Sequence, residues 1–441
     1  MNNVRCANSL WSVLGITLSA ALGGLNSGSA EAEEGRSQLG ALVASPEPGW
    51  PQWRGPRRDG ISRETGLLPS WPEAGPPVLW EATGLGKGFS SPILAEGSLY
   101  LTGDVAGECR VFALDLDGKP KWQTSNGEAW TTNHQGARSS CTYAGGRLYH
   151  MNAHGRVACF DPATGKELWT VNTLERFAGE ENEWGLAESV LVDGGRVFVT
   201  PGGKLGFMTA LDAKTGETVW ASEPVPDPDD ERTGYASPIL VQFDEKRLLV
   251  NLSEKSVVCV DAATGKQLWR YLHPTKYDAS CATPVFWNDC VFHTNPSGAG
   301  CVMLRIMPAG DGASVKPIWE GGLDNISGGA VIVDGFVYSA AHNNYKGRNI
   351  WMCLDAGSGD VKWESTELVQ GSVLYADGRL YCLAEDGVMA LVRATPEKCD
   401  IVSRFEFVKA KRDAWAHPVI LDGRLYLRYH DVLRCYDLNA K

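Results

Sequence analysis

The sequence predicts an all-β fold, an eight-bladed β-propeller of four-stranded blades, from three observations. A motif of Asp, then Gly three or four residues later, then Trp four residues after the Gly occurs five times. Its spacing of about 45 residues is typical of propeller blades, and Gly-Gly or Asp-Gly pairs between short apolar runs predict tight hairpins. The motif residues are Asp115 and Trp122, Asp161 and Trp169, Asp212 and Trp220, Asp261 and Trp269, and Asp355 and Trp363.

Each repeat supplies four strands in a fixed order. The first is a short apolar strand such as Ile93-Leu94, and a tight turn such as Gly145-Gly146 leads into the second. The third strand ends on the motif Asp, whose side chain can cap the next turn, while the Gly takes a left-handed conformation there. The motif Trp lies on the fourth, outer strand, where its large flat ring can pack against the neighbouring blade.

Aligning the first strands gives eight repeats, which start near residues 90, 139, 188, 236, 282, 328, 371 and 416. The last repeat reaches Lys441 with only three strands, whereas residues 77–81 form an isolated strand that carries Trp80 without a preceding hairpin. We therefore expect this N-terminal strand to complete the last blade and to close the ring without leaving a free sheet edge.

Two repeats depart from the pattern. In blade five, Arg305 replaces the motif Asp and the hairpin lengthens before Trp319. In blade seven, Arg393 replaces Asp, and Phe405 is expected in place of Trp. Either drift in blades that still pack or a local interaction surface explains these departures.

Composition limits the classes of function. The formal net charge of −12 argues against nucleic-acid binding, which calls for a basic surface. Residues 1–30 have the character of a signal peptide, with cleavage after Ala30 or after Ala32. The apolar stretch is shorter than the roughly 18 residues of a membrane span, so the sequence predicts export to the periplasm or the exterior, with no transmembrane span.

The rest of the chain divides into two predicted parts. Residues 31–49 are expected to be a flexible leader, rich in Glu, Ser, Pro and Ala, and residues 50–441 a single propeller domain that is monomeric. The acidic run at residues 227–231 falls in a loop between blades. It is expected to be solvated, with a calcium site as the alternative.

The cysteines follow the repeat. Cys6 lies in the signal segment, and the remaining 11 of the 12 are an odd number. Four cysteines lie two residues before the motif Asp or its equivalent on the third strand, at a position where other blades carry Ala. Because Ala and Cys are both small, this alternation predicts a buried structural position. The four residues are Cys159, Cys259, Cys353 and Cys435. Whether Cys281, Cys290 and Cys301 form a disulfide is not decided by the sequence.

The candidate binding surface is the set of loops that join an outer strand to the next inner strand, because these loops gather around one mouth of the axial channel. Many of their residues are charged or aromatic, and the alternative is that they are solvated loop residues. The candidate ligand-binding residues are Asn133, His134, Arg138, Glu183, Trp184, Glu188, Arg232, Tyr235, Lys276, Asn325, Trp415 and His417.

Two features indicate which residues of this surface are the stronger candidates for ligand binding. Arg138, Glu188 and His417 lie next to the starts of inner strands, so their side chains can point toward the axis. Trp130, Trp184 and Trp415 fall outside the motif position, so they are free to form an aromatic platform for a flat ligand or sugars, or to fill the channel. His150 and His154 flank one hairpin without a nearby acidic or cysteine ligand, and we expect no metal site there.

The repeat resembles a known family. The run Ala210-Leu-Asp212-Ala-Lys-Thr215-Gly216-Glu-Thr-Val-Trp220 resembles the PQQ-like repeat of eight-bladed quinoprotein propellers. The opening Trp50-Pro-Gln-Trp53-Arg54-Gly55-Pro56 resembles the leader of a bacterial secreted branch of that superfamily. The resemblance covers roughly residues 50–441 and implies the propeller fold.

The resemblance implies two different functions. PQQ-dependent alcohol dehydrogenases hold the quinone on the axis with calcium, an Asp base and an adjacent Cys-Cys disulfide, and this chain has no adjacent Cys pair. BamB-like propellers lack the cofactor and bind protein partners through loops on one face. We therefore expect a cofactor-free binding or scaffolding propeller whose ligand is an envelope protein, a small molecule or a glycan, with a PQQ- and calcium-dependent dehydrogenase and a carbohydrate-binding propeller as the alternatives.

Overall fold

The computed structural model describes residues 40–225, 231–341 and 349–440. These residues form eight antiparallel sheets, and in seven of them four consecutive strands lie side by side in chain order. The predicted eight-bladed propeller is therefore confirmed. The predicted signal peptide, residues 31–39 of the leader and residues 227–230 of the acidic run lie outside the described residues.

Two strands precede the first blade, and they are β1 (Gly40–Leu42) and β2 (Val78–Ala82). Blade one contains β3 (Ile93–Ala95), β4 (Ser98–Val105), β5 (Glu108–Asp115) and β6 (Pro120–Glu128). Blade two contains β7 (Thr142–Ala144), β8 (Arg147–Met151), β9 (Arg156–Phe160) and β10 (Glu167–Asn172), and the short helix α1 (Thr173–Phe177) follows it. Blade three contains β11 (Leu191–Asp193), β12 (Arg196–Val199), β13 (Thr209–Asp212) and β14 (Thr218–Ala221).

The next three blades repeat this order. Blade four contains β15 (Ile239–Phe243), β16 (Lys246–Leu252), β17 (Ser256–Asp261) and β18 (Gln267–Leu272). Blade five contains β19 (Val285–Trp287), β20 (Cys290–Asn295), β21 (Gly300–Ala309) and β22 (Gly312–Gly321). Blade six contains β23 (Ala330–Val333), β24 (Phe336–Ala341), β25 (Ile350–Asp355) and β26 (Val361–Ser365).

The last two blades close the ring. Blade seven contains β27 (Gly371–Ala376), β28 (Arg379–Ala384), β29 (Val388–Arg393) and β30 (Asp400–Glu406), and blade eight contains β31 (Val419–Leu421), β32 (Arg424–Tyr429) and β33 (Val432–Asp437). Strand β2 pairs antiparallel with β33, with Trp80 opposite Cys435, and so becomes the outer strand of blade eight. The predicted closure by an N-terminal strand is confirmed.

The repeated motif builds the contact between blades. The Asp161 carboxylate accepts hydrogen bonds from the backbone N–H groups of Ala163 (3.0 Å) and Thr164 (2.9 Å), which fixes the turn after β9. Gly165 has a φ of +72°, and its Cα faces the indole of Trp122 so closely that a Cβ would stand 2.5 Å from the ring. The Trp122 indole N–H also donates to the carbonyl of Pro162 (3.0 Å), so each blade holds the next at the turn.

The same indole-to-turn hydrogen bond recurs around the ring. The pairs are Trp80 with Leu116, Trp169 with Ala213, Trp220 with Ala262, Trp319 with Ala356 and Trp363 with Thr395. The exception among the described residues is Trp269, whose buried indole N–H has no acceptor. Blade five, which it faces, carries Arg305 instead of the motif Asp and has the long β21–β22 hairpin in place of the tight turn.

Blade seven lacks the motif Trp, and a residue of the N-terminal segment packs at its outer strand instead. Ser403 lies opposite Leu391 and therefore occupies the position that the motif Trp has in other blades. Phe405 lies two residues further along β30. Trp71 fills the interface: its backbone N–H donates to the Ser403 hydroxyl (2.9 Å) and its ring lies 5.5 Å from that of Phe405. Phe405 thus has the packing role predicted for it, but from a shifted position and with a second aromatic ring beside it.

The cysteines that share the motif register are buried, as predicted. Cys159, Cys259 and Cys353 lie opposite Trp169, Trp269 and Trp363 on the neighbouring strand of their blades. Each of the eleven cysteines within the described part of the chain, the blade-five trio included, is a free thiol. Small side chains at this register leave room for the large rings.

Residues 40–62 form an axial plug. Strand β1 pairs with β15, the innermost strand of blade four, and Trp50 forms a bridge with Leu94 in the innermost strand of blade one. Ile61 bridges to Tyr375 in the innermost strand of blade seven. Because these strands lie on different sides of the axis, the segment between them fills the channel. Residues 40–49, assigned by the sequence to a flexible leader, belong to this packing in the structure.

Two buried arginines hold the plug in place. The Arg58 guanidinium donates to the carbonyls of Ser189 (2.9 Å) and Pro238 (3.1 Å), and that of Arg54 donates to the carbonyl of Ala330 across the axis. Burial lowers the pKa of Arg58 to about 9 and that of Arg54 to about 10. These side chains use inner-strand carbonyls as acceptors, which compensates part of the cost of burying their charge.

The glycine contact predicts a specific stability difference. Gly165→Ala should destabilise the fold by about 2–4 kcal/mol, because a left-handed Ala costs about 1–2 kcal/mol and the clash with Trp122 adds a similar overpacking cost. Gly378→Ala is the matched control, since Gly378 has a φ of +74° and no heavy atom lies within 4 Å of the position its Cβ would take. Chemical denaturation measures both, and equal losses for the two variants would contradict the proposed role of the ring.

Candidate functional site

The starts of the inner strands form a hydroxyl-lined ring around the axis. The backbone N–H of Ser140 donates to the Ser189 hydroxyl (2.9 Å), and that of Ser189 to the Ser237 hydroxyl (2.9 Å) in the next blade. The N–H of Ser237 continues the series to Thr283 (3.4 Å). This series fixes the positions at which the loops predicted to carry the site begin.

Above this ring lies a channel-mouth cavity of about 480 Å³. That volume is in the range of small-molecule sites in proteins. The cavity is lined by Trp53, Phe89, His134, Arg138, Trp184, Ala187, Ser189, Tyr235, Ser237, Ala279, Cys281, Thr283, Ile326, Ser327, Gln370, Glu385, Arg412 and Trp415. The predicted residues His134, Arg138, Trp184, Tyr235 and Trp415 are therefore brought together at one site.

The walls are aromatic. On one side, the rings of Phe89 and Trp415 have centroids 4.7 Å apart, with His134 5.1 Å from Trp415. On the other side, Trp184 and Tyr235 are 5.6 Å apart. The Phe89 and Trp415 rings are inclined at 34° to each other, and those of Trp184 and Tyr235 at 59°.

Trp53 of the axial plug forms the floor. Its indole N–H donates to the Thr283 hydroxyl (3.2 Å), and its ring lies edge-on to His417 at 4.6 Å. Trp53 therefore brings the axial plug into the lining of the cavity. The side chain of His417 is buried below, and burial lowers its pKa to about 3.

The polar end of the cavity is a buried pair, the Glu385 carboxyl group and the Gln370 amide. Glu385 accepts hydrogen bonds from the Gln370 amide (3.0 Å) and from the Trp415 indole (3.0 Å). Burial raises the pKa of Glu385 to about 7, against the smaller opposing effect of those two bonds. The Gln370 Oε1 atom is buried and has no hydrogen-bond partner among the described residues. The site therefore has one acidic group with a perturbed pKa and one free acceptor.

Arg138 is committed to the loops around it. Its guanidinium donates to the carbonyls of Trp184 (2.6 Å), His134 (2.8 Å) and Asn133 (3.0 Å), and to that of Gly136. Burial lowers its pKa to about 10. Arg138 therefore holds two cavity loops together. The sequence predicted a ligand-binding role for it, but in the structure it donates to backbone carbonyls.

Three predicted residues are buried away from the cavity surface. Glu188 accepts from the Thr200 N–H (3.1 Å) and from Asn251 (3.2 Å), and burial raises its pKa to about 8. The Asn325 amide donates to the Ala340 carbonyl (2.7 Å) and stabilises a turn. Together with His417, these side chains support the cavity from below.

Four others lie on the rim. Arg232 forms an ion pair with Glu254 (2.9 Å), and Lys276 lies over the ring of Tyr277 at 5.0 Å. The side chains of Asn133 and Glu183 are exposed. None of the four is among the described residues that line the cavity, so a role in binding requires a ligand that extends over the rim.

Trp130 and His150 have structural contacts in the described residues. The Trp130 ring packs against Gly185, and its N–H donates to the Asn133 carbonyl (2.8 Å), so it is not part of the aromatic platform formed by Trp184 and Trp415. His150 is fully buried between Asn126 (2.7 Å) and Ser139 (2.9 Å) as a structural residue. Within the described ranges, no group of three or more acidic, cysteine or histidine side chains is arranged to hold a metal ion.

Sequence reasoning missed the acidic group and the floor. Glu385 follows β28 in the turn between the second and third strands of blade seven, and such turns open on the same face as the loops that join successive blades. An acidic residue directly after the apolar run Leu383-Ala384 was the available signal. Trp53 was recognised only as part of a leader, because nothing local indicates that this segment enters the channel.

Known proteins share the repeat. Residues 123–364, more than half of the chain, match the model of a family described as outer membrane protein assembly factor BamB. The dehydrogenase subunit of a quinone-type alcohol dehydrogenase from Gluconacetobacter polyoxogenes is 35% identical over 109 residues, which are 22% of this chain and 14% of that protein. The chain therefore spans a small part of the length of the curated relatives it matches.

Solved structures share the fold. The quinohemoprotein alcohol dehydrogenase of Comamonas testosteroni has a TM-score of 0.61 at 16% identity and is matched over 89% of this chain and 81% of its own. BamB from Moraxella catarrhalis has a TM-score of 0.52 at 16% identity, over 78% of this chain and 98% of its own. No helix in the described part of this chain has the length and apolar character to span a membrane.

The cavity residues do not fit a quinone with calcium. Hard cations need several oxygen ligands, and Glu385, the one carboxylate among the described residues that line the cavity, already accepts two hydrogen bonds. A quinone that carries carboxylates needs free cationic donors, and four of the five N–H groups of Arg138 are bonded to backbone carbonyls. Arg412 is the other arginine at the wall, and its side chain is exposed.

The two halves of the predicted site should respond differently to mutation. Arg138→Ala should lower stability by about 2–3 kcal/mol, since four carbonyls lose a charged donor. Trp184→Ala should leave the melting temperature nearly unchanged, because its ring is half exposed at the cavity wall. Thermal denaturation measures both, with Arg412→Ala as an exposed arginine control. An Arg138→Ala variant as stable as that control would contradict the assigned positioning role.

Glu385 should make stability depend on pH. Its pKa of about 7 in the folded chain exceeds the ordinary value of 4.5, so its contribution is fully present below pH 4.5 and is lost as pH rises through 7. We expect Glu385→Gln to reduce this loss by up to about 3 kcal/mol. Unfolding free energies measured from pH 4.5 to 8 test this, and parallel profiles for the two proteins would contradict it.

Proposed function

This chain belongs to the family of outer membrane protein assembly factor BamB, and from that membership we propose that it is an exported binding or scaffolding propeller. It works without a quinone and engages an envelope protein, a small molecule or a glycan at the channel-mouth cavity and the loops around it. The observation that carries the proposal is the aromatic-lined cavity of about 480 Å³ on the predicted loop face.

The chemistry of the cavity supports binding more than catalysis. The donors of Trp53, Trp415 and Arg138 are bonded to internal acceptors, and the carboxyl group of Glu385 accepts hydrogen bonds from Gln370 and Trp415. A rigid wall of this kind orders few side chains when a ligand binds, which favours affinity. Loops around one mouth of a rigid ring also suit a protein partner that extends beyond the cavity.

A quinoprotein dehydrogenase is the second candidate, favoured by the relatives and structural neighbours that bear such names. It would require Arg138 to release its carbonyls or Arg412 to turn inward, and calcium ligands from outside the cavity lining. A carbohydrate ligand remains compatible with the aromatic faces, since sugars bind on such rings.

The test combines a cofactor with candidate ligands. We expect micromolar PQQ with Ca²⁺ to leave the tryptophan fluorescence of the full chain unchanged and to support no dye-linked alcohol oxidation. On glycan arrays and arrays of envelope-protein peptides, at least one probe should bind. Ala187→Trp, which fills the cavity from its wall, should weaken that probe by at least about tenfold.

Two results would contradict the proposal. Stoichiometric PQQ binding with alcohol oxidation would make the protein a dehydrogenase. Probes that bind the wild type and Ala187→Trp equally would place recognition away from the cavity. Circular dichroism and melting curves show that the variant retains its fold before these binding results are compared.

A further inference from the structure

Resting on the proposed function, we propose that the channel-mouth cavity recognises a protonated amine, held between its aromatic walls and bound through Glu385 and Gln370. The shared chemistry is an alkylammonium group, carried either by a small amine or by a lysine side chain of a protein partner. Neither the family match nor the structural neighbours assign a ligand of this kind to the site.

In the pair formed by Glu385 and Gln370, the remaining hydrogen-bonding capacity includes acceptors on both side chains. Each carboxylate oxygen of Glu385 accepts one hydrogen bond and retains capacity for another. Within the part of the chain that the structure describes, the buried Gln370 Oε1 has no partner, and it belongs to a side chain that is 7% exposed and lines the cavity. A ligand must therefore supply the donors, and an ammonium group supplies three with no acceptor of its own.

Three donor groups of the wall, those of Trp53, Trp415 and Arg138, are bonded within the protein, and Arg412 is exposed to solvent. The Trp53 indole N–H is bonded to Thr283 (3.2 Å), that of Trp415 to Glu385 (3.0 Å), and the Arg138 guanidinium to backbone carbonyls. An anionic ligand would find these groups occupied. The bonded state of these groups therefore argues against a preference of the cavity for anionic ligands.

The aromatic rings suit a cation. Phe89 and Trp415 form one wall, Trp184 and Tyr235 the other, and Trp53 the floor. The negative face of an aromatic ring attracts an ammonium group, and desolvation in a pocket strengthens the attraction. The alkyl chain of the amine would pack against the same rings.

The charges nearby leave Glu385 without a full counterion. Arg412 is exposed and so its charge is screened by solvent, while Asp413 acts on Glu385 in the opposite sense. Burial therefore keeps the pKa of Glu385 at about 7. An ammonium group beside it would compensate the ionised carboxylate, which favours binding of the amine and ionisation of Glu385 together.

The test compares an amine with its uncharged derivative. We would titrate the full chain with n-butylammonium, with capped Gly-Lys-Gly and with the same peptide acetylated on the lysine Nζ, following tryptophan fluorescence and calorimetry. We expect saturable binding of an amine that is at least about tenfold tighter than that of the acetylated peptide. Binding of n-butylammonium alone identifies a small amine, and binding of the lysine peptide identifies a protein partner.

Variants locate the interaction. Glu385→Gln and Ala187→Trp should each weaken amine binding by at least about tenfold, and Glu175→Gln, which removes an exposed carboxylate from α1, should not. If Glu385→Gln does not fold, Gln370→Leu removes the free acceptor and should weaken binding severalfold.

Equal binding of the amine and its acetylated form, or amine binding that survives both Glu385→Gln and Gln370→Leu, would overturn the inference. An uncharged glycan or peptide that binds in an Ala187-dependent manner, with no amine binding, would overturn it while leaving the proposed function intact. Stoichiometric PQQ binding with alcohol oxidation would instead remove the proposed function.

Discussion

The fold depends on the contact between the outer-strand tryptophan of one blade and the glycine turn of the next. The indole of Trp122 packs on Gly165 and donates to the Pro162 carbonyl in the turn that Asp161 caps. A Cβ at the glycine would overlap the ring, so the turn, the ring and the hydrogen bond require one another. Six such indole hydrogen bonds are described, so this contact orients neighbouring blades at six of the eight interfaces of the ring.

The N-terminal segment completes what the repeats leave open. Strand β2 supplies the outer strand of blade eight, and Trp71 fills the interface where blade seven has Ser403 at the motif position. The axial plug is held by Arg54 and Arg58, whose guanidinium groups use the carbonyls of inner strands in several blades. One continuous segment therefore closes the ring at its perimeter and fills it at its axis.

This arrangement explains why the binding surface is a pocket. Trp53 rises from the axial plug to form the floor, and the hydroxyls of Ser189, Ser237 and Thr283 surround it. Arg138 fixes the loops above by bonding their carbonyls, so the aromatic walls are preorganised. At this wall, burial raises the pKa of the Glu385 carboxyl to about 7.

The sequence by itself determined the blade count, the closure by β2, the roles of Asp161 and Trp122 with their counterparts, and the buried register of Cys159, because each follows from a pattern repeated along the chain. It also identified the loop face, including Trp184, Tyr235 and Trp415. Only the tertiary structure decided that Trp53 enters the channel, that Trp71 serves blade seven and that Glu385 joins Gln370 and Trp415. Those contacts join segments far apart in the chain, and no local pattern encodes which distant side chains the closed ring brings together.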